Sequence, residues 1–296
     1  SDLRNYSQNI YNAHEQTFDI TQDTLGFMYF ANFEAVVIYD GAEWTKVPTR
    51  NRLRVLAVEA GTDGRVYVGG LFDFGFVHRN SNGSFSYTSL ADSTISQEKI
   101  GEIFSVQIIN NDVYFISKER IFIFKNNKIQ SVDLKAHITS VFVLNQNLYV
   151  FFQKNENNSI QNGLTKFVNG SFIKITDKSS TGIFDAKIAF DVKKNNISVI
   201  GTSSQGFYQL KNDTIYDLRV FINDFVKENT VSCGAKINDS LFAVGTLSKG
   251  FVFVNNNGLI IQNINKKSTL IDETINALFI DKSNNLWVAP HKGISL

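Results

Sequence analysis

The sequence predicts an all-β chain: a seven-bladed β-propeller, four antiparallel strands per blade, with the last blade closed by the N-terminal strand. Three observations predict it. First, one unit recurs seven times, an apolar strand, a polar or glycine turn, and a second, usually aromatic strand. The second strands read FMYFA (27–31), RVYVG (65–69), DVYFI (112–116), NLYVF (147–151), ISVIG (197–201), LFAVG (241–245) and NLWVA (285–289). Their turns recur at intervals of roughly 35–49 residues, the length of one blade. Second, several of these strands are apolar on both faces, as strands sandwiched between neighbouring blades must be. Third, 43% of the residues are hydrophobic and only two are proline. That composition argues against disorder and linkers, and for one domain over residues 1–296.

Blade one shows the logic of each element. TFDIT (17–21) is its inner strand, and Thr24-Leu25-Gly26 turns the chain into FMYFA. AVVIY (35–39) follows, then Asp40-Gly41, where glycine accepts the positive φ of a tight hairpin, then EWTKV (43–47). Blade two repeats the scheme with RVLAV (54–58), Asp63-Gly64, GFVHR (75–79), Asn82-Gly83 and SFSYT (84–88). Blade three runs from Ile103 to Val132, with asparagine pairs at 110–111 and 126–127; asparagine tolerates the left-handed region that such turns demand. Blades four, five and six span about 138–175, 187–218 and 231–264, and residues 154–163 between strands of blade four read as a surface loop. Blade seven offers INALFI (275–280), NLWVA and GISL (293–296), one strand short. LRNYS (3–7) is available to pair outside GISL and remove the exposed edge.

Composition excludes several classes. Net charge is +1 from 29 basic and 28 acidic residues, with no basic block to serve as a footprint for nucleic acid or anionic lipid. No apolar run approaches the 18 residues of a membrane span. The opening Ser1-Asp2-Leu3-Arg4 has no signal-peptide character, as expected of an excised domain. One cysteine, Cys233, excludes an internal disulfide and a Cys-rich zinc site and reads as buried packing. His14, His78, His137 and His291 never form a metal-ligand spacing, so neither a metal nor a cofactor is expected. G-x-S-x-G, H-E-x-x-H and P-loop sequences are missing, so no catalytic residue is assigned.

The segments ITQDTLGFMYFANFEAVVIYDGAEWTKV (20–47) and INALFIDKSNNLWVAPHKGISL (275–296) resemble the two-component regulator propeller repeat. Asp23, Gly26, Tyr29 and Tyr39-Asp40-Gly41 match its pattern, as do Asp281, Asn284, Asn285, Trp287 and Gly293-Ile294. RNYSQNIY (4–11) and DGRVYVGGLFDFGFV (63–77) are similar to Bacteroidetes-type sensors, in which a propeller precedes a triple-tyrosine immunoglobulin-like module, a membrane helix, and a histidine kinase or helix-turn-helix output. The likeness weakens in blades three and four. It implies a periplasmic, extracytoplasmic ligand-sensing domain of a membrane-anchored regulator. The implied partner is a small molecule or oligosaccharide, or another protein. No nucleic-acid contact or membrane insertion is implied for this segment, and the full-length protein is expected to form a homodimer.

Candidate ligand contacts lie in loops between second and third strands and between blades, which share one face of a propeller. They are Asn32, Phe33, Arg50, Phe72, Asp73, Phe74 and His291, expected to expose side-chain atoms toward one cleft. In LFDFG (71–75), two phenylalanines around an aspartate suit a stacking platform with an acceptor for sugar hydroxyls. Equally, Phe72 and Phe74 could pack between blades while Asp73 caps a turn. Lys118 and Gln205 are lesser candidates, and Trp44 and Trp287 read as packing. Recurrence of Asp23 and Asp281 at blade turns suits hydrogen bonding to turn amides. Two further functions are open: a lyase or hydrolase using His14, Glu34, Arg50 and His291, and a structural spacer that arranges neighbouring domains.

Overall fold

A computed structural model describes residues 3–91, 95–134, 136–153, 163–180, 182–183, 185–192 and 197–296. Seven sheets form a seven-bladed β-propeller; each is built on four antiparallel strands, and the blade-five sheet carries a fifth, parallel edge strand. Blade seven takes its outer strand from the other end of the sequence. Asn5–Tyr6 pairs with Ile294–Ser295, in the register Asn5 to Ser295 and Tyr6 to Ile294, as the sequence predicts. Arg4 and Leu296 exchange both backbone hydrogen bonds beyond it, at 2.8 and 2.9 Å. Most of the chain 154–163 lies outside the described residues; Gly163 opens the strand Gly163–Val168.

The asparagine turns behave as their chemistry dictates. Asn110, Asn111, Asn126, Asn127, Asn212 and Asp213 all have positive φ, so these hairpins place two left-handed residues in succession. The inner strands of blades one, two, four, five and six each carry a register shift near their start, as between Thr17 and Asp19. An added residue there bends the strand and re-aims its side chains, and periodicity alone does not reveal it.

The chain divides into two compact units. The first holds residues 1–133 and 276–296. Its aromatic cluster is built on the borrowed strand: Tyr6 meets Trp44 at 5.2 Å, Trp287 at 6.1 Å and Tyr39 at 5.9 Å between ring centroids. Tyr11, on a helical turn Gln8–Tyr11, packs on Trp44 at 5.6 Å. Both tryptophans are therefore packing residues. Each of three blade turns in this unit ties an aspartate to the aromatic residue of its second strand. Tyr29 donates to Asp23 at 2.9 Å, Tyr67 to Asp63 at 2.7 Å and Trp287 Nε1 to Asp281 at 3.0 Å. The same carboxylates accept turn amides, so the recurring aspartate and the recurring aromatic form one structural device.

The second unit holds residues 134–275. A two-residue strand, Thr176–Asp177, lies parallel to Thr214–Ile215 and covers the outer edge of blade five. Between blades five and six the helix Ile222–Glu228 buries Ile222 and Val226, one turn apart. Asn223 anchors it, accepting from Phe207 N and donating to Leu218 O. The sequence reading missed this helix, because its seven residues contain only a single i, i+4 apolar pair. Cys233 packs between inner strands, and burial pushes its thiol up to about 12, unsuited to nucleophilic chemistry.

Candidate functional site

The interblade loops and the second-to-third strand loops of the first unit build two side-chain clusters. The first centres on Gln16, which precedes the inner strand of blade one. Its backbone N–H donates to His14 Nδ1 at 3.1 Å, and its Nε2 lies 2.9 and 3.1 Å from the two ring nitrogens of His291. Phe33 stacks on His14, with centroids 4.5 Å apart and planes 31° from parallel, and keeps 39% of its surface exposed. An open aromatic ring beside an amide and two imidazoles can stack against an apolar face and hydrogen-bond hydroxyls at its edge.

Asn32 plays a different part from the contact expected of it. It is fully buried, and its Nδ2 donates to His14 O at 2.6 Å and Gln16 O at 2.8 Å. Its Oδ1 accepts from Glu34 N at 3.1 Å. Asn32 thus clamps the two loops that present His14, Gln16 and Phe33.

The second cluster surrounds Asp73, which is 2% exposed. Ser89 donates to it at 2.6 Å, Tyr87 at 3.0 Å, and Arg50 pairs with it at 3.5 Å. Desolvation first, and then the Asp73 charge, raise the Tyr87 hydroxyl well above its ordinary range, so it remains a donor. Arg50 and Tyr87 line an open groove of about 470 Å³ with Pro48, Thr49 and Phe85. Asp73 sits beneath it as the counter-ion that orients Arg50.

The aromatic platform around Asp73 does not form. Phe74 is fully buried and stacks between Phe115 and Phe122, both at 4.8 Å, in the core between blades two and three. Phe72 adopts a left-handed φ of 60° and is tied by its N–H to Gly101 O. The expectation that all these side chains reach one cleft fails for Asn32, Asp73 and Phe74, which are interior. Phe33 and His291 come together around Gln16, a residue the sequence reading passed over because a lone glutamine before a strand carries no pattern. Glu34 pairs with Lys46 at 3.3 Å and Arg50 with Asp73, so neither is tied to the two histidines. Among the weaker candidates, Lys118 borders a separate charged groove with Glu98, Lys99 and Arg120, and Gln205 donates to Gly182 O at 3.0 Å.

Burial dominates the chemistry of two carboxylates on the inner strands of blades one and two. Asp19 accepts from Ile20 N and Val58 N, and desolvation outweighs these bonds and pushes it up to about 7. Desolvation, and then the Asp19 charge, push Glu59 up to about 8. The folded chain therefore keeps protons that the unfolded chain releases near pH 4. Stability should fall as pH rises through this window and level off above the folded values. Glu59→Gln is expected to add about 1–3 kcal/mol at pH 9 and almost nothing at pH 4. Urea unfolding at both pH values checks this; parallel curves for the two proteins would refute it.

No family model matches the sequence, and no curated protein matches it. Solved structures do share its fold. The extracellular domain of BT4673 from B. thetaiotaomicron, assigned to a one component system, superposes with a TM-score of 0.75 at 18% identity, over 100% of this chain and 39% of that one. The extracellular domain of the hybrid two component system BT3049 from the same organism gives 0.69 at 15% identity, over 99% and 41%. The chain thus spans about two fifths of these proteins' length. Virginiamycin B lyase from Staphylococcus aureus gives 0.70 at 14% identity, over 99% of this chain and 97% of the lyase.

Proposed function

We propose that the chain is the extracytoplasmic, periplasmic ligand-sensing domain of a membrane-anchored one- or two-component regulator. It takes an oligosaccharide or a similarly hydroxyl-rich small ligand at the Phe33 rim. The observation that carries this reading is the exposed Phe33 ring, held on His14 beside Gln16 and His291. A ring with one open face and polar neighbours at its edge is the chemistry that sugar rings demand. The fold shared with the extracellular domains of BT4673 and BT3049 supports it. No helix among the described residues is long and apolar enough to cross a membrane. In this reading the domain neither inserts into lipid nor touches nucleic acid, and a homodimer of the longer protein carries the signal.

A thermal-shift survey of oligosaccharides identifies a ligand, since binding to the folded state alone raises its stability. For that ligand, Phe33→Ala and His291→Ala should each weaken binding by about 1–2 kcal/mol in isothermal titration. Unchanged affinity in both would move the site elsewhere. Asp73→Ala is expected to act mainly on stability and on the placement of Arg50, because Asp73 is interior.

The near full-length overlap with a lyase and the two imidazoles around Gln16 favour a second reading, elimination or hydrolysis of the bound molecule at His14 and His291. Mass spectrometry of the ligand after prolonged incubation separates the two. A sensor returns it intact, whereas an enzyme returns products that His291→Ala abolishes.

A further inference from the structure

The core between blades five and six is filled differently from the others. Eight buried residues, Ile188 and Phe207 among them, are accompanied by six apolar side chains that stay partly exposed, including Phe190, Val199, Leu218, Val220 and Phe242. Among the described residues, four other cores carry two to five such partners. Beside them lies a cleft of about 120 Å³ with an apolar wall of Phe190, Val199, Phe207, Leu218, Val220 and Phe242 and a polar rim. The cleft opens to solvent at its polar rim, and its apolar lining side chains lack partner atoms on that side. A dry apolar cavity of about 150 Å³ admits benzene. This cleft holds a single ring and little more.

Its walls suit a ring. Phe242 lies 5.5 Å from Phe190 and 6.1 Å from Phe207 between centroids, so three neighbouring aromatic rings line the space. Four polar residues line its rim, Lys236, Asn238, Asp239 and Asn256, and Lys236 is the cation among them. Lys236 Nζ donates to Asp191 O at 2.8 Å and pairs with Asp239 at 2.8 Å. An ammonium has three donors, and two are engaged by these partners. The Asp239 carboxylate balances the charge, so the rim offers a hydrogen bond without a net field for an anion. Gly258 brings the outer turn of blade six against Val220, where a Cβ would collide with that side chain; this close approach closes one end of the slot.

We propose that this slot is a binding site for a neutral monocyclic aromatic molecule with one oxygen acceptor, a phenol or an aromatic alcohol. The ring stacks among Phe190, Phe207 and Phe242, and the oxygen accepts from Lys236. The site uses only residues of blades five and six and the segment between them, so it stands or falls independently of the Phe33 rim.

Fluorine NMR of 4-fluorophenol with the intact chain tests it. Saturable line broadening is expected, with a Kd on the order of 0.1–1 mM. Phenol and benzyl alcohol should compete, while benzoate should compete at least several-fold more weakly. Val199→Phe and Val220→Phe fill the slot from two sides, and whichever of them retains a cooperative melt should lose the broadening. Lys236→Met should weaken 4-fluorophenol several-fold and leave fluorobenzene unchanged. The proposal is overturned if the wild-type protein shows no saturable broadening, if a folded slot-filling variant keeps it, or if benzoate binds more tightly than phenol.

Discussion

A chain lacking residues 1–11 is expected to lose its cooperative melt at physiological temperature. The deletion removes Tyr6 and Tyr11, 3% and 1% exposed, and with them the centre of the ring cluster that includes Trp44 and Trp287. Loss of one buried large aromatic side chain costs about 3–5 kcal/mol. Two such losses approach the whole stability of an ordinary domain, about 5–15 kcal/mol. The deletion also strips Ile294–Ser295 of their only outer strand and exposes a sheet edge, so aggregation should accompany unfolding. Circular dichroism melts and light scattering read both effects. Tyr11→Ala isolates the packing share, about 3–5 kcal/mol with the strand pairing left in place. A truncated protein that melts within a few degrees of the intact chain would show that blade seven holds without its borrowed strand.

Asp281→Ala should cost about 2–4 kcal/mol, because four donors lose one acceptor group and Trp287 Nε1 is buried. Trp287→Phe keeps most of the packing and deletes one of those bonds, so it should cost about 1 kcal/mol. The pH dependence distinguishes a hydrogen-bonding role from a packing role. Desolvation acts to raise the Asp281 carboxyl, but the bonds from Asn285, Trp287 and Ser283 prevail and hold it below its usual range. A depressed carboxyl contributes stability above its unfolded value, and that contribution is lost as pH falls through the folded value. The gap between wild type and Asp281→Ala should therefore be full at pH 7 and narrow as pH falls below the usual carboxylate range in urea titrations. A constant gap across that range would assign the effect to packing.

The fold was legible because propeller blades repeat their physical requirements. Seven second strands, asparagine pairs that tolerate positive φ and an incomplete final blade each point to the same architecture, and the structure contains all three. Even the aspartate of the repeat could be read as structural, although its tie to Tyr29, Tyr67 and Trp287 could not, since that contact depends on strand direction across a turn. The site was far less legible. Loop position placed Asn32, Phe33, Phe72, Asp73, Phe74 and His291 near one face but said nothing of which way each side chain turns. Phe74 begins a strand and follows its pleat into the core. Asp73 is drawn inward by Tyr87 and Ser89, fourteen and sixteen residues further on. Phe33 stays outside because Asn32 takes up the interior hydrogen bonds of that loop. Such outcomes are decided by neighbours distant in sequence, which a single chain read linearly does not reveal.

The pairing of Arg4 with Leu296 has a mechanical consequence. Residues 4–6 and 294–296 run antiparallel, so positions 4 and 296 lie at the same end of the short ladder. Tension applied across those two positions acts perpendicular to the strands and loads one pair of hydrogen bonds at a time. The seam is thus in peeling geometry, the weak direction of a β-ladder. Tyr6, seated two residues inward among Tyr39, Trp44 and Trp287, is the stop at which such a peel must stall. A pull across positions 4 and 296 would therefore meet its first real resistance in an aromatic ring rather than in the backbone.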